Sequence, residues 1–146
     1  MASYGRQRNP EEIAMKPIRR ALLFLTPTLV LTACGAGQVS YSSDIQPILD
    51  RYCVSCHSGT GEGAQRSEYL VTSYEGVMQG TKFGQVVVPG SRLSSSLYLV
   101  VAGKTSPEIR MPPHNDESLA AGRGVMLSAD AIETIGLWID QGARNN

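Results

Sequence analysis

The amino-acid sequence predicts a small all-α domain with long loops. Three stretches carry apolar residues at helical spacing, and each begins near a serine that can cap the first turn. They cover about residues 43–53, 94–103 and 128–142, and the caps of the first and last are Ser43 and Ser128. A fourth, short helix capped by Ser73 is expected within Leu70–Met78. The β-prone run Gln85–Val88 ends at Pro89-Gly90, which favours an extended loop lying on the core over a strand. Helices and loops therefore account for the predicted domain.

Length and charge limit the classes of function. The 146 residues provide one domain plus a short additional segment. The formal net charge is zero, so the chain has no basic footprint for nucleic acid. Residues 1–33 hold five of the 13 basic groups and two of the 13 acidic groups, which leaves eight basic and eleven acidic groups in residues 34–146. This mildly acidic body suits a soluble carrier outside the cytoplasm.

The sequence Cys53-Val54-Ser55-Cys56-His57 carries the strongest chemical signal. Two cysteines separated by two residues and followed by histidine form the attachment signature of c-type haem. The thiols of Cys53 and Cys56 bind the porphyrin edge, and His57 lies under the iron as proximal ligand. A zinc site or a thioredoxin-like redox pair would need a second Cys-x-x-Cys or a surrounding strand–helix unit, and the sequence has neither. The motif therefore predicts one covalently bound haem c.

The first 40 residues are typical of an exported lipoprotein. A positive run, residues 15–20, precedes an apolar run, residues 21–32. Leu31-Thr32-Ala33-Cys34 resembles a bacterial lipobox, in which the cysteine receives a lipid and the peptide is cut before it. An ordinary signal peptide with an incidental cysteine is the alternative. The apolar run has about 12 residues, whereas a spanning helix needs about 20.

These features divide the chain into three parts. Residues 1–33 are predicted to be an N-terminal extension and a lipoprotein signal peptide, with Met15 as the better start. Residues 34–40 are small and polar enough to form a flexible tether. The haem domain is then expected at 41–146. Lipid on Cys34 would place the protein on the periplasmic side of a bacterial membrane.

A second chemical feature lies in the loop between Lys104 and Met126, which is too long to be a passive connection in so small a domain. Met111 in this loop is the predicted distal iron ligand. A His/Met pair gives a low-spin, six-coordinate iron with a raised reduction potential, and both properties suit electron transfer. Two prolines directly after Met111 fix φ and stiffen the ligand loop.

Other residues compete for these roles. His114 is the alternative distal ligand, because it is the only histidine besides His57, and Met78 and Met126 compete as thioethers. Arg110 is predicted either to pair with a haem propionate, since guanidinium binds carboxylates in two-pronged fashion, or to be a solvated surface residue. Three glycines after the haem motif let the backbone pass close to a flat ligand; they are Gly59, Gly61 and Gly63.

Several segments in order resemble the planctomycete-type monohaem cytochrome c family, within the class I cytochromes c. They are Asp44–Leu49, Ser73–Val77, Val88–Ser91, Ser96–Tyr98, Met111–Pro113 and Trp138–Ala143, together with the haem motif. The resemblance implies a class I-like helical domain around one haem, with His57 proximal and Met111 distal. It also implies that the first and last helices cross, which Gly136 would ease by admitting another backbone. The sequence departs from the family pattern between Asn115 and Gly124, where it is long and contains glycine.

The resulting hypothesis is a lipid-anchored, extracytoplasmic electron carrier rather than an enzyme. Its partners would be redox proteins, such as a membrane respiratory or photosynthetic complex. One alternative is a peroxidase or a ligand-binding haem protein, for which His114 is the only candidate acid–base histidine. The other is a haem-containing docking subunit of a membrane complex. An open iron site would favour the first alternative, and a haem outside the electron path would favour the second.

Overall fold

The computed structural model describes residues 37–146, so Cys34 and the predicted signal segment lie outside the described residues. Within residues 37–146 the regular structure is helical; there is no β-strand, only an isolated bridge between Thr81 and Gly84. The α-helices of this part are α1 (Gln46–Tyr52), α2 (Glu62–Ser67), α3 (Tyr74–Gln79), α4 (Ser96–Val101), α5 (Asp116–Ala120) and α6 (Ala129–Asp140). The predicted all-α fold is confirmed. None of these helices combines the length and the apolar character needed to cross a membrane.

The first helical unit begins earlier than predicted. A π-helical turn, Tyr41–Ile45, runs directly into α1. The cap is Ser40, whose side-chain oxygen accepts a hydrogen bond from the backbone N–H of Ser43 at 3.3 Å. Ser43 lies inside the turn, so the prediction that it caps the helix is wrong. The buried face matches the prediction, because Ile45 and Leu49 are fully buried.

The described part of the predicted tether is attached to the domain. The backbone N–H of Val39 donates to Oε1 of Gln141 at 2.8 Å, and the Ser40 hydroxyl donates to the backbone oxygen of Asn146 at 2.8 Å. The Gln141 side-chain amide also donates to the backbone oxygen of Gly37 at 3.3 Å. Residues 37–40 are thus bonded to the other end of the described chain, in contrast to the flexible tether expected there.

Short helices α2 and α5 are absent from the sequence prediction. Ala64 is the only buried residue of α2, and α5 buries none, so neither helix has an apolar stripe to reveal it. Helix α5 is held by local capping, because the Asn115 side-chain oxygen accepts from the backbone N–H of Ser118 at 2.8 Å. This helix interrupts the long loop that follows Met111.

The remaining helices follow the sequence pattern closely. Ser73 caps α3, and Val77 on the same helix is fully buried. The run Gln85–Val88 is a loop with Val87 buried against the core, as expected. Ser95 precedes α4 without capping it through its side chain; its hydroxyl accepts from the backbone N–H of Val88 at 2.8 Å instead. The extended loop is thereby fastened to the start of α4.

Helix α6 supplies the centre of the core. Ser128 caps it, and Ile135, Trp138 and Ile139 are each at most 1 % exposed. The Trp138 indole donates to the backbone oxygen of Arg144 at 3.0 Å, so its polar atom is satisfied inside the core. Trp138 therefore packs in the core, as expected from its helical spacing.

Gly136 admits a side chain, so the expectation of a close backbone at this position is wrong. A Cβ atom at Gly136 would lie 2.6 Å from Nη1 of Arg92. The Arg92 guanidinium crosses α6 here and forms ion pairs with Glu133 at 2.8 Å and with Asp140 at 2.5 Å. The Arg92 backbone N–H also donates to Asp140 at 2.8 Å. One arginine thus joins the turn before α4 to both ends of the α6 surface.

Replacing Arg92 with alanine should lower the free energy of unfolding by about 1 kcal/mol, because its partners are largely exposed and solvent screens each pair. Burial raises the pKa of Asp140, but the hydrogen bonds from Arg92 outweigh it and hold the pKa below its usual value. The stabilisation by the Arg92–Asp140 pair is fully present above the ordinary aspartate pKa of about 3.9. It is lost as pH falls through the lowered pKa of Asp140 in the folded protein. Chemical denaturation at neutral and acid pH measures the difference.

The matched control is Arg144→Ala, which removes an exposed arginine that forms no ion pair within residues 37–146. It should leave stability within about 0.5 kcal/mol of the parent protein. Equal losses in the two variants, or an Arg92→Ala effect that grows in acid, would contradict the ion-pair explanation.

Candidate functional site

One cavity, with a volume of about 710 Å³, gathers the chemically active residues. Cys53, Cys56 and His57 line it from the segment after α1, and Met111 lines it from the loop after α4. Its size lies within the range of about 300–1,000 Å³ that is usual for cofactor sites. The fold thus brings together the predicted attachment residues and the thioether of Met111, which lies 54 positions after His57 in the chain.

The cysteine segment continues the path of α1 in a series of tight turns. The backbone N–H of Cys53 donates to Leu49 at 2.8 Å, and that of His57 donates back to Cys53 at 2.9 Å. Cys53 and Cys56 are both half-buried free thiols. Burial, and secondarily Cys56, raises the pKa of the Cys53 thiol to about 12, so this thiol is protonated at neutral pH. These turns hold both sulfur atoms and the imidazole at one side of the cavity.

The His57 imidazole is held by its Nδ1 atom. Nδ1 lies 3.2 Å from the backbone oxygen of Tyr69, and the Tyr69 ring stands edge-on to the imidazole with centroids 5.4 Å apart. When Nδ1–H donates to this oxygen, the Nε2 lone pair is free to bind a metal. Burial lowers the pKa of His57, although the Tyr69 hydrogen bond acts in the opposite direction. The neutral form required of an iron ligand is therefore favoured.

Gly63 leaves the space that the imidazole occupies. A Cβ atom at this position of α2 would lie 2.7 Å from Cε1 and 2.8 Å from Nε2 of His57. Gly63 also lines the cavity. The glycine run after the motif was expected to bring the backbone close to a flat ligand, and the structure shows that Gly63 brings it close to the His57 imidazole. Its role was not evident from the sequence, because α2 was not predicted.

Met111 also lines the cavity, and α4 holds its backbone in place. Its backbone N–H donates to Val100 at 3.2 Å, and Val101 of the same helix lines the cavity beside it. The Met111–Pro112 peptide bond is cis, and Pro112 is buried. The loop that follows α4 thus presents one thioether to the space faced by His57.

The competing ligands lie elsewhere. His114 is exposed and outside the cavity lining, and its Nδ1 contacts the backbone oxygen of Gly124 at 3.1 Å. Met78 packs against the core, and Met126 is 40 % exposed; neither lines the cavity. The geometry therefore favours Met111 over each alternative considered from the sequence.

Arg110, considered for a propionate, also lies outside the cavity lining. Its Nε donates to the backbone oxygen of Thr105 at 3.2 Å. The arginines that do line the cavity are Arg51, Arg66 and Arg123. None of these three was singled out from the sequence, because no local pattern connects a surface arginine to a site assembled by tertiary packing.

These residues fit a covalently bound haem c. Two unbonded thiols, a neutral imidazole with Nε2 free and a thioether line one cavity, which also has apolar walls at Val101 and Pro112. A metal-ion site of the zinc type does not fit, since no three histidine, cysteine or carboxylate groups cluster within residues 37–146. This donor set is the one that a c-type cytochrome requires.

A comparison with models of protein families points to one family of c-type cytochromes. Residues 53–115 match the family model described as Planctomycete cytochrome C, and this match supports assignment of the chain to the planctomycete-type cytochrome c family. The matched segment begins at Cys53 and includes Met111. No curated protein and no solved structure gave a match. Membership of a cytochrome c family implies a covalently bound haem c.

Gly63→Ala tests the close contact at the proximal imidazole. Alanine favours a helix over glycine by up to about 1 kcal/mol, so α2 itself should not suffer. The added methyl group should nevertheless displace His57 and cause a severalfold fall in the low-spin fraction of the haem-loaded protein. The optical spectrum of the ferric protein measures that fraction.

Gln65→Ala is the control, because it places alanine at an exposed position of the same helix. It should keep the parent spectrum. A parent-like spectrum in Gly63→Ala would show that the imidazole does not depend on this space.

Proposed function

We propose that this protein is a lipid-anchored, extracytoplasmic monohaem cytochrome c that passes single electrons between redox partners. The observation that carries the proposal is the position of Met111, which lines the same cavity as Cys53, Cys56 and His57. The bound haem c supplies an iron that alternates between the ferrous and ferric states. His57 and Met111 would together hold the iron and leave no iron position for a substrate, which suits a carrier.

The protein would keep both iron ligands, His57 and Met111, in fixed positions. The Tyr69 carbonyl orients His57, and the Val100 carbonyl holds the backbone of Met111. Pro112 is buried behind the thioether and limits the conformations of the ligand loop. Ligands fixed in this way move little when the iron changes charge, so less reorganisation opposes each electron transfer. This property distinguishes a carrier from a site that must open to bind a substrate.

The geometry supports a carrier over a peroxidase. A peroxidase needs an acid–base group above the iron, and His114, the candidate from the sequence, is exposed and lies outside the cavity lining. The lining carboxylates are Glu62 and Glu117, and Glu62 is paired with Arg66 at 2.7 Å. No lining imidazole other than His57 is present in the described part of the chain.

Met111→Ala is the direct test of the distal ligand. Loss of the thioether should lower the reduction potential, abolish the long-wavelength band of the methionine–iron bond, and open the iron to cyanide or carbon monoxide. Redox titration followed by optical spectroscopy measures the first two effects, and ligand titration measures the third.

Two control variants separate Met111 from its competitors. Met126→Ala removes a 40 % exposed methionine, and His114→Ala removes the alternative imidazole. Both should keep the long-wavelength band and the closed iron site. If His114→Ala opens the iron and Met111→Ala does not, the ligand assignment is wrong. A parent protein with a high-spin ferric spectrum that responds to peroxide would favour the enzyme alternative.

The membrane location is supported by the lipobox-like sequence that ends at Cys34 and by the preceding apolar run. Cys34→Ser should move the protein from the membrane fraction to the soluble fraction, because stable anchoring requires more than one acyl chain and serine removes the attachment point. The haem spectrum should be unchanged. Fractionation of cells, with intact mass of the purified protein, measures both points.

A native protein whose mature N-terminus is not Cys34 would refute the anchor while leaving the cytochrome assignment untouched. The docking-subunit alternative has its own test in isolated membranes. A carrier should be reduced rapidly by a membrane donor, and the rate should fall when Cys34→Ser releases it. A haem that stays oxidised while the surrounding complex turns over would favour the docking role.

A further inference from the structure

One side of the cavity is built by a segment that the family match does not include. The match ends at residue 115, yet seven residues that line the cavity lie between Glu117 and Val125. Helix α5 and the turn after it form this segment, Asp116–Val125, which we call the clasp. Its contribution to the site is therefore a feature of this chain that the matched segment does not define.

The clasp is joined to the loop that carries Met111. Nδ1 of His114 contacts the backbone oxygen of Gly124 at 3.1 Å, next to the methionine-proline segment. A Cβ atom at Gly124 would lie 2.5 Å from the backbone oxygen of Pro113, so only glycine allows this approach. Gly124 also has a φ of +80°, which favours glycine for a second reason. The turn after α5 is thus held in a defined place against the ligand loop.

This turn presents Arg123 to the attachment side of the cavity. The backbone N–H of Arg123 donates to the backbone oxygen of Ser118 at 2.8 Å, and Nη1 of Arg123 lies 3.9 Å from Sγ of Cys56. A contact of that length is weak as a hydrogen bond to sulfur, so the position of the charge is its main effect. The Arg123 side chain is partly buried beside the sulfur atom that the haem would bind.

The other lining arginines differ from Arg123 in exposure and pairing. Arg66 is paired with Glu62, and its side chain is 79 % exposed. Arg51 is exposed and stacks on Tyr52, with its guanidinium carbon 5.4 Å from the ring centroid. Arg123 forms no ion pair within residues 37–146. Among the cations that line the cavity, it is therefore the least screened by solvent or by a carboxylate.

We propose that Arg123 is an electrostatic positioning residue that raises the reduction potential of the haem. The ferric group carries one more positive charge than the ferrous group, so a fixed cation at the Cys56 edge disfavours the ferric form. Reduction takes one electron from a one-electron donor and neither forms nor breaks a bond. The inference rests on the proposed one-electron role and on haem attachment at Cys56, but not on the identity of the distal ligand.

Coulomb's law sets the expected size of the effect. A unit charge acting over about 10 Å in an effective dielectric of about 20 to 40 changes a one-electron equilibrium constant by about fourfold to seventeenfold. A tenfold change corresponds to about 59 mV for a one-electron couple. Because Arg123 is partly buried, the effect should persist at moderate salt, unlike that of a fully exposed charge.

The test compares the reduction potentials of four haem-loaded full-length proteins. Arg123→Gln removes the charge and keeps a polar side chain of moderate length, and its equilibrium constant for reduction should fall about fourfold to seventeenfold. Arg123→Lys keeps the charge and should restore most of the potential. Arg144→Gln removes an exposed arginine that does not line the cavity, and it should match the parent protein.

Spectra recorded alongside separate this proposal from a purely structural role and from the proposed function. The expected result is that Arg123→Gln keeps the parent protein's ligand spectrum, including any methionine–iron band, and the parent's response to cyanide while its potential falls. An unchanged potential, or an equal fall in Arg123→Lys and Arg123→Gln, would overturn the proposal. A fall accompanied by loss of the band and entry of cyanide would also overturn it, because the clasp would then act by holding Met111. Failure of the Met111→Ala test leaves the Arg123 comparison interpretable, since it depends on attachment at Cys56.

Discussion

The hydrogen bond between Nδ1 of His57 and the backbone oxygen of Tyr69 is the contact on which the site depends. A second hydrogen bond links the same two segments, because the backbone N–H of Val71 donates to the backbone oxygen of His57 at 3.0 Å. Val71 is 1 % exposed, so the orientation of the imidazole is tied to a residue of the hydrophobic core. Helix α1 delivers the attachment residues, and Gly63 leaves room for the ring. The proximal side is therefore built largely from backbone contacts, which tolerate changes in side chains better than a side-chain network would.

The distal side is built by a separate part of the chain. Helix α4 holds Met111 by a single backbone hydrogen bond, and α4 packs against the core through the buried side chains of Leu97 and Val101. The clasp closes the same region from residues that follow Met111. No side chain of the clasp belongs to the hydrophobic core, so the clasp can be altered without disturbing either side. Changes in the clasp can thus tune a bound haem while the attachment residues and their supports stay as they are.

Predictions from the sequence succeeded where one local pattern was sufficient. The serine caps at Ser73 and Ser128 and the apolar spacing of α6 located helices, and the motif at Cys53 named the cofactor. They failed where tertiary contacts decide. Helices α2 and α5 bury too little to show a periodic stripe, and Gly136 faces an arginine rather than a backbone. Arg110 and Arg123 are equally plausible in the sequence, and only packing places the second at the cavity.

The hydrogen bonds that hold Gly37, Val39 and Ser40 to Gln141 and Asn146 have a consequence for the range of the proposed carrier. If the lipid is carried by Cys34, the first bonded residue follows only three positions later. Three residues of chain span at most about 10 Å even when fully extended. So short a connection would keep the cytochrome domain close to the lipid surface. It would therefore meet its partners by diffusing in the plane of the membrane, and they would have to offer their redox centres near that plane.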